Sequence, residues 1–176
     1  APFDQVLIDE IVRGTVGAYK LYIMSNLFYL SEAERAALRR VVERDQATVL
    51  WLYAPGLQSD CAASVENMHA ITGFRFKEVE VCGELNVTIA DGDHPLTRGL
   101  AGRAYGTGVD REQYLRPPKT QYLPDTRVSP QYVIDDADAT VLGVSPLTGG
   151  PALAVKRLGS WRSVYSLAPA LSWELL

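Results

Sequence analysis

Tyr19-Lys20-Leu21-Tyr22-Ile23-Met24, then Ser31-Glu32-Ala33-Glu34 with the amphipathic run behind it, then Thr48-Val49-Leu50-Trp51-Leu52-Tyr53, form the stretch on which the fold turns. The first piece is rich in aromatic and β-branched residues, the composition of a strand. The second is a helix start: the Ser31 hydroxyl can cap free backbone N–H groups, and Glu34, three residues on, can answer as the capping-box carboxylate. Behind it Ala37, Leu38, Val41 and Val42 fall on one face, while Arg35, Arg39, Arg40, Glu43 and Arg44 fill the remainder and read as a solvated face. The third piece is a nearly unbroken apolar strand, as expected where helices cover both faces of a parallel sheet. Strand, helix and strand at this spacing make a βαβ unit with a right-handed crossover. The predicted class is therefore α/β, a flavodoxin-like, doubly wound, mostly parallel sheet flanked by helices.

Outward from this unit, a second helix is expected over residues 64–72, with Val65, Met68 and Ile71 as its inner stripe and Gly73 as its stop. Upstream, Val6-Leu7-Ile8 with Ile11-Val12 predicts a strand broken by Asp9-Glu10. From Phe76 onward the pattern changes to short strands, over residues 77–81, 85–89, 131–134 and 140–144. A long loop over residues 102–130 carries Pro117, Pro118, Pro124 and Pro130 with Tyr105, Tyr114 and Tyr122, a composition suited to an ordered surface excursion or an interface arm. Residues 152–167 predict a C-terminal β-hairpin turning at Gly159.

With 176 residues, 47% hydrophobic and 22% charged, the chain is long enough for one substantial core, and a single domain over residues 1–176 is expected. A net charge of -4, from 17 basic and 21 acidic residues, sets up no field favouring nucleic acid or an anionic membrane. No apolar run reaches the roughly 18 residues of a membrane span. Cys61 and Cys82 are too few for a disulfide scaffold or a cysteine zinc site and read as free thiols. Asn86-Val87-Thr88 fits a glycosylation sequon but lies within a predicted strand.

Taken in order, several of these stretches resemble the class I glutamine amidotransferase-like superfamily, and within it the trimerisation-type domain that follows the catalytic barrel in a family of β-galactosidases. The residues that carry the resemblance are 19–31, then Ala47 through Gly56, then Glu66-Asn67-Met68 with Thr72-Gly73, then His94-Pro95-Leu96-Thr97-Arg98-Gly99-Leu100, and the closing hairpin. Domains of this kind usually have a strand and helix ahead of residues 6–12, and residues 169–176 look like the first turns of a terminal helix. The expectation is a piece of a longer polypeptide.

An active amidotransferase places a cysteine on the tight turn after the strand equivalent to residues 48–52, beside backbone N–H groups that form an oxyanion hole. Here that turn is Tyr53-Ala54-Pro55-Gly56, with no Cys, Ser or Thr, and Pro55 removes a donor. Cys61 is a substitute only if the start of the second helix lowers its pKa. His69 and His94 form no visible Cys-His-acid arrangement. Asp91, Asp93 and His94, and separately Asp135, Asp136 and Asp138, have side chains suited to hard cations, yet both groups lie in turns where Asp is favoured for backbone reasons. Gly106-Thr107-Gly108 lacks the strand-to-helix setting of a phosphate loop and reads as a turn. Trp51, Trp161 and Trp173, with nine tyrosines, supply either a sugar-stacking platform or core and interface packing. The chain is thus expected to carry no catalytic, cofactor-binding or metal residues of its own. The resemblance implies a non-catalytic accessory domain of a glycoside hydrolase, a homo-oligomer (a trimer among the options) whose partner is a catalytic domain of the same polypeptide. An independent hydrolase and a carbohydrate-binding module are the alternatives.

Overall fold

The computed structural model describes residues 3–107 and 127–169. The predicted βαβ unit is present: β1 (Leu21–Met24) and β2 (Thr48–Leu52) run parallel, joined by α2 (Glu32–Asp45). The capping box closes as expected, with the Ser31 backbone N–H and hydroxyl each 2.7 Å from Glu34 Oε2. The second helix, α3 (Val65–Thr72), is capped by Ser64 and ends at Gly73 in the left-handed conformation.

Residues 6–12 do not form a strand. They contribute instead to helix α1 (Ile8–Arg13), whose first turn is acidic and whose Gly14 takes a left-handed φ of 72°. Glu10 accepts the Leu7 backbone N–H at 2.8 Å, so Asp9-Glu10, which break the strand pattern, are what start the helix.

The remaining strands are β3 (Phe76–Val79), β4 (Gly83–Glu84), β5 (Asn86–Ile89), β6 (Ala104–Gly106), β7 (Arg127–Val128), β8 (Gln131–Ile134), β9 (Thr140–Val144), β10 (Pro151–Leu158) and β11 (Trp161–Ser166). Among the described residues they assemble with β1 and β2 into a seven-stranded sheet of order β1-β2-β11-β10-β9-β5-β6 and two small pairs, β3-β8 and β4-β7. Only β1-β2 and β2-β11 are parallel; the other four pairings of the large sheet are antiparallel. The expected mostly parallel, doubly wound arrangement gives way to a mixed sheet. The closing hairpin is its cause: β11 seats itself beside β2 in parallel, and its antiparallel partner β10 then carries β9, β5 and β6 outward.

Helix flanking is also sparse. Strand register puts Tyr22, Met24, Val49, Trp51, Ser163 and Tyr165 on one face. α2 is tied to that face by the Tyr22 hydroxyl on Asp45 (2.5 Å), and α3 by the Ser163 hydroxyl on the Thr72 carbonyl (2.6 Å). The β3-β8 pair covers the same face, with the Tyr165 hydroxyl on the Tyr132 carbonyl at 2.8 Å. On the opposite face Leu21 and Ile23 remain 50% and 42% exposed. The strand that ought to be buried on both sides therefore borders an end of the sheet clothed by helices on one side. Among the described residues no helix is long and apolar enough to cross a membrane.

Candidate functional site

In open α/β sheets the carboxyl ends of parallel strands are where ligands and reacting groups collect. Of the three parallel strands, β1 and β2 are followed by a non-glycine residue in the left-handed region: Asn26, at φ 55°, two residues beyond β1, and Tyr53, at φ 57°, directly after β2. Such conformations cost about 1 kcal/mol or more and persist only where surrounding bonds over-determine them. At Tyr53 those bonds are visible. Its backbone N–H donates to Ser166 at 2.9 Å and its hydroxyl to the Pro130 carbonyl at 2.8 Å. Its ring lies 6.0 Å from Phe28, edge to face, and 5.7 Å from Tyr132. Burial, reinforced by neighbouring Tyr132 and Glu78, pushes its phenol up to about 12, so it stays a neutral hydrogen-bond donor.

The loops after β1 and β2 are locked to one another by Arg35. The basic run of α2 is solvated at Arg39 and Arg40, but Arg35 is buried. Its guanidinium donates to the carbonyls of Leu30 (3.1 Å), Asn67 (2.7 Å), Gly56 (2.7 Å) and Gln58 (3.2 Å). Planar geometry with five donors suits such a cage, which an ammonium cannot fill. Desolvation lowers its pKa, opposed by the charges of Glu32, Asp60 and Glu34. Gly56 is required here twice over: its φ is 63°, and a Cβ would stand 3.1 Å from Arg35 Nη1. Asn67 completes the lock, its side-chain amide donating to Leu57 (3.0 Å) and Ala62 (2.8 Å).

This rigid ground presents Phe28 and Tyr29 to solvent, 42% and 48% exposed. Backbone bonds between Gln58 and Phe28 (2.8 Å) and between Leu30 and Gln58 (3.1 Å) fix the segment, and the Tyr29 hydroxyl donates to Asp60 Oδ1.

The turn from Tyr53 to Gly56 contains no Cys, Ser or Thr, and it is Tyr53 that occupies the strained bend. Cys61 is exposed in the loop before α3, its N–H on the Ser59 hydroxyl, and Cys82 is exposed as well. His69 Nδ1 pairs with the Phe74 carbonyl (3.0 Å) and His94 Nδ1 accepts from Leu96 (3.2 Å), so neither histidine meets a cysteine. Asp91 serves its own turn, accepting the N–H groups of Asp93 (2.8 Å) and His94 (3.2 Å). Asp136 is sequestered by Lys156 (2.8 Å) and the N–H groups of Arg75 and Asp138 (both 3.1 Å), while Asp135 and Asp138 are exposed. Among the described residues no three His, Cys, Asp or Glu side chains gather as a metal-binding group.

Trp51 and Trp161 are buried, and Trp51 Nε1 donates to Ser163 at 3.0 Å, so both pack the core rather than form a platform; Trp173 lies outside the described residues. Gly106 ends β6, the Thr107 hydroxyl accepts the backbone N–H of Leu85, just ahead of β5, at 2.9 Å, and Gly108 lies outside the described residues, with most of the proline-rich loop. Sequence reading missed Arg35, Phe28, Tyr29 and Asp60. Only Arg35 left a trace: it stands three residues before Leu38 and seven before Val42, within the apolar stripe of α2.

No protein-family model matches the chain, and no protein of curated function matches it in sequence. Solved structures share its fold at low identity. A β-galactosidase from Bacillus circulans sp. alkalophilus superposes with a TM-score of 0.53 at 14% identity, over 86% of this chain and 20% of that one. An exo-β-1,4-mannosidase from an Opitutaceae bacterium superposes with a TM-score of 0.52 at 12% identity, over 92% of this chain and 25% of that one. A ThuA-like protein from Bacteroides uniformis gives 0.47 at 14% identity, over 86% of this chain and 60% of that one. The chain therefore has a fold that also occurs as a fifth to a quarter of two much longer glycosidase chains.

Proposed function

We propose that this chain is a non-catalytic accessory domain of a glycoside hydrolase, acting through assembly while a catalytic domain of the same polypeptide does the chemistry. The observation that carries the reading is the bend at Tyr53. Where a glutamine amidotransferase-like fold offers its nucleophile, this chain holds a neutral phenol spent on the Pro130 carbonyl, followed by Pro55, which has no N–H to give an oxyanion. The shared fold with portions of a β-galactosidase and a mannosidase supports the same reading. Assembly works by burying apolar surface, and Leu21 and Ile23, exposed on the last strand of the sheet, are the apolar residues best placed for it. Self-association is expected in sedimentation velocity, a trimer being one closed form, together with ordinary alkylation kinetics at Cys61. A chain that stays monomeric at high concentration, or a Cys61 that is hyper-reactive at neutral pH, overturns the proposal.

A further inference from the structure

We propose that the free edge of β1 pairs antiparallel with the β1 edge of a second copy of this chain, joining two sheets across a two-fold axis. The inference rests on the assembly proposed for the chain and names its partner and register. The open edge follows from the alternation of hydrogen bonds along the strand. The Thr48 N–H donates to the Lys20 carbonyl at 2.9 Å, and Leu21 lies opposite Thr48 in parallel register. In a parallel ladder that phase turns the backbone groups of Tyr22 and Met24 toward β2 and those of Leu21 and Ile23 away from it. β1 is the terminal strand of the large sheet, and the outward N–H and carbonyl groups of Leu21 and Ile23 have no hydrogen-bond partner among the described residues. Their side chains are exposed as well, both on the face opposite α2. Edges are ordinarily guarded by a charge, a proline or a bulge, and Leu21-Tyr22-Ile23-Met24 has none of these.

The pattern is self-complementary, and this makes a second copy the partner. With Leu21 opposite Ile23 of the second copy, the two residues exchange both backbone bonds, and symmetry repeats the exchange, with Tyr22 facing its own counterpart on the axis. Leu21 of each copy then covers Ile23 of the other on the outer face. Leu50, half-buried beside Ile23, extends the apolar strip into both sheets. Charge favours the antiparallel choice. A parallel pairing would set Lys20 against Lys20, whereas here Lys20 lies opposite Met24 of the second copy. α2 runs back against β1, since Asp45 at its end binds Tyr19 and Tyr22 at the start of the strand. Antiparallel pairing consequently sets the acidic first turn of one α2, with Glu32 and Glu34, level with the basic last turn of the other, with Arg44. Edges this short make a small interface, below about 800 Å² per partner, so the dimer should be of micromolar strength rather than permanent.

Sedimentation velocity and cysteine cross-linking test it, the latter with Cys61→Ser and Cys82→Ser so that only introduced thiols react. A concentration-dependent dimer is expected. The register puts residue 21 of one copy about 5.5 Å, Cα to Cα, from residue 23 of the other and roughly 9 Å from its own counterpart, too far for a disulfide. An equimolar mixture of Leu21→Cys and Ile23→Cys chains should therefore cross-link about tenfold faster than either variant alone. Ile23→Pro removes an N–H that points away from β2, a change an edge strand tolerates, and takes out two of the four bonds between the copies. It should weaken the dimer about tenfold or more while leaving the far-ultraviolet circular dichroism unchanged. A dimer or trimer in which the mixed thiols react no faster than the separate ones overturns this inference and leaves assembly standing through another surface. So does a folded Ile23→Pro variant that dimerises like wild type. A chain that stays monomeric at every concentration overturns both this inference and the assembly on which it rests.

Discussion

Replacing Arg35 with methionine keeps the aliphatic stem in place and removes four carbonyl contacts at once. The Gln58 carbonyl keeps the Leu30 N–H, but the Leu30 and Gly56 carbonyls lose the guanidinium, so Arg35→Met should cost about 3 kcal/mol in urea denaturation. Arg35→Lys should recover less than half of that, because one ammonium cannot span the cage. Asp45 contributes to the acid limb of stability. The Arg44 guanidinium, then the hydroxyl of Tyr22 and the N–H of Tyr19, hold its carboxyl down to about 2, against burial acting the other way. Its unfolded value is about 3.9, so the folded protein favours the ionised form. That stabilisation is present above about pH 4 and is lost as pH falls through the interval from about 4 to about 2. An Asp45→Asn variant should therefore be less stable than wild type at neutral pH and show a flatter decline over that interval, read from thermal midpoints against pH.

At the scale of elements, the capping box of α2 and the Asp136–Lys156 pair make separable contributions. Ser31→Ala should lower stability by about 1 kcal/mol. Lys156→Ala strands a carboxylate whose side chain is 0% exposed, on the residue that links β8 to β10, and should cost about 3 kcal/mol in the same denaturation assay. These elements also show where the sequence was legible. α2, α3, β8 and β9 follow from local devices (caps, a stop glycine, β-branched runs), which act within a few residues and leave their mark there. α1 was misread because Val6-Leu7-Ile8 looks like a strand when taken alone. Yet Ile8, Ile11 and Val12 have helical spacing, and Asp9-Glu10 with Gly14 supply a start and a stop. The contacts made by Tyr29 and Tyr53 were illegible for a different reason: Tyr29 and Asp60 lie 31 residues apart, and Tyr53 and Pro130 lie 77 apart. Their meeting depends on tertiary packing, which no local pattern encodes.

Across the whole molecule, the two faces of the β1 end of the sheet differ in kind. One is packed by α2, α3 and the β3-β8 pair; the other leaves Leu21 and Ile23 in water. Because those two side chains contribute little to the core, the double change Leu21→Lys with Ile23→Lys should shift thermal stability by no more than about 1 kcal/mol. If assembly uses this face, the same variant sediments as a smaller species. An unchanged sedimentation profile would remove these residues from the interface.

The central place of β11 in the sheet has a consequence for the order in which the structure can form. β2 has β1 as a neighbour early in the chain, but its other neighbour arrives so late that Trp51 meets Ser163 across 112 residues. During synthesis the β1–α2–β2 unit must wait with one parallel edge open and Trp51 unsheltered, and only the closing hairpin fills the gap. Such distant pairing slows folding and prolongs the time in which an apolar edge can meet another chain. The β1–α2–β2 unit is consequently open to aggregation until the β10–β11 hairpin emerges, and a chaperone that holds the β2 edge through that interval should raise the yield of native protein.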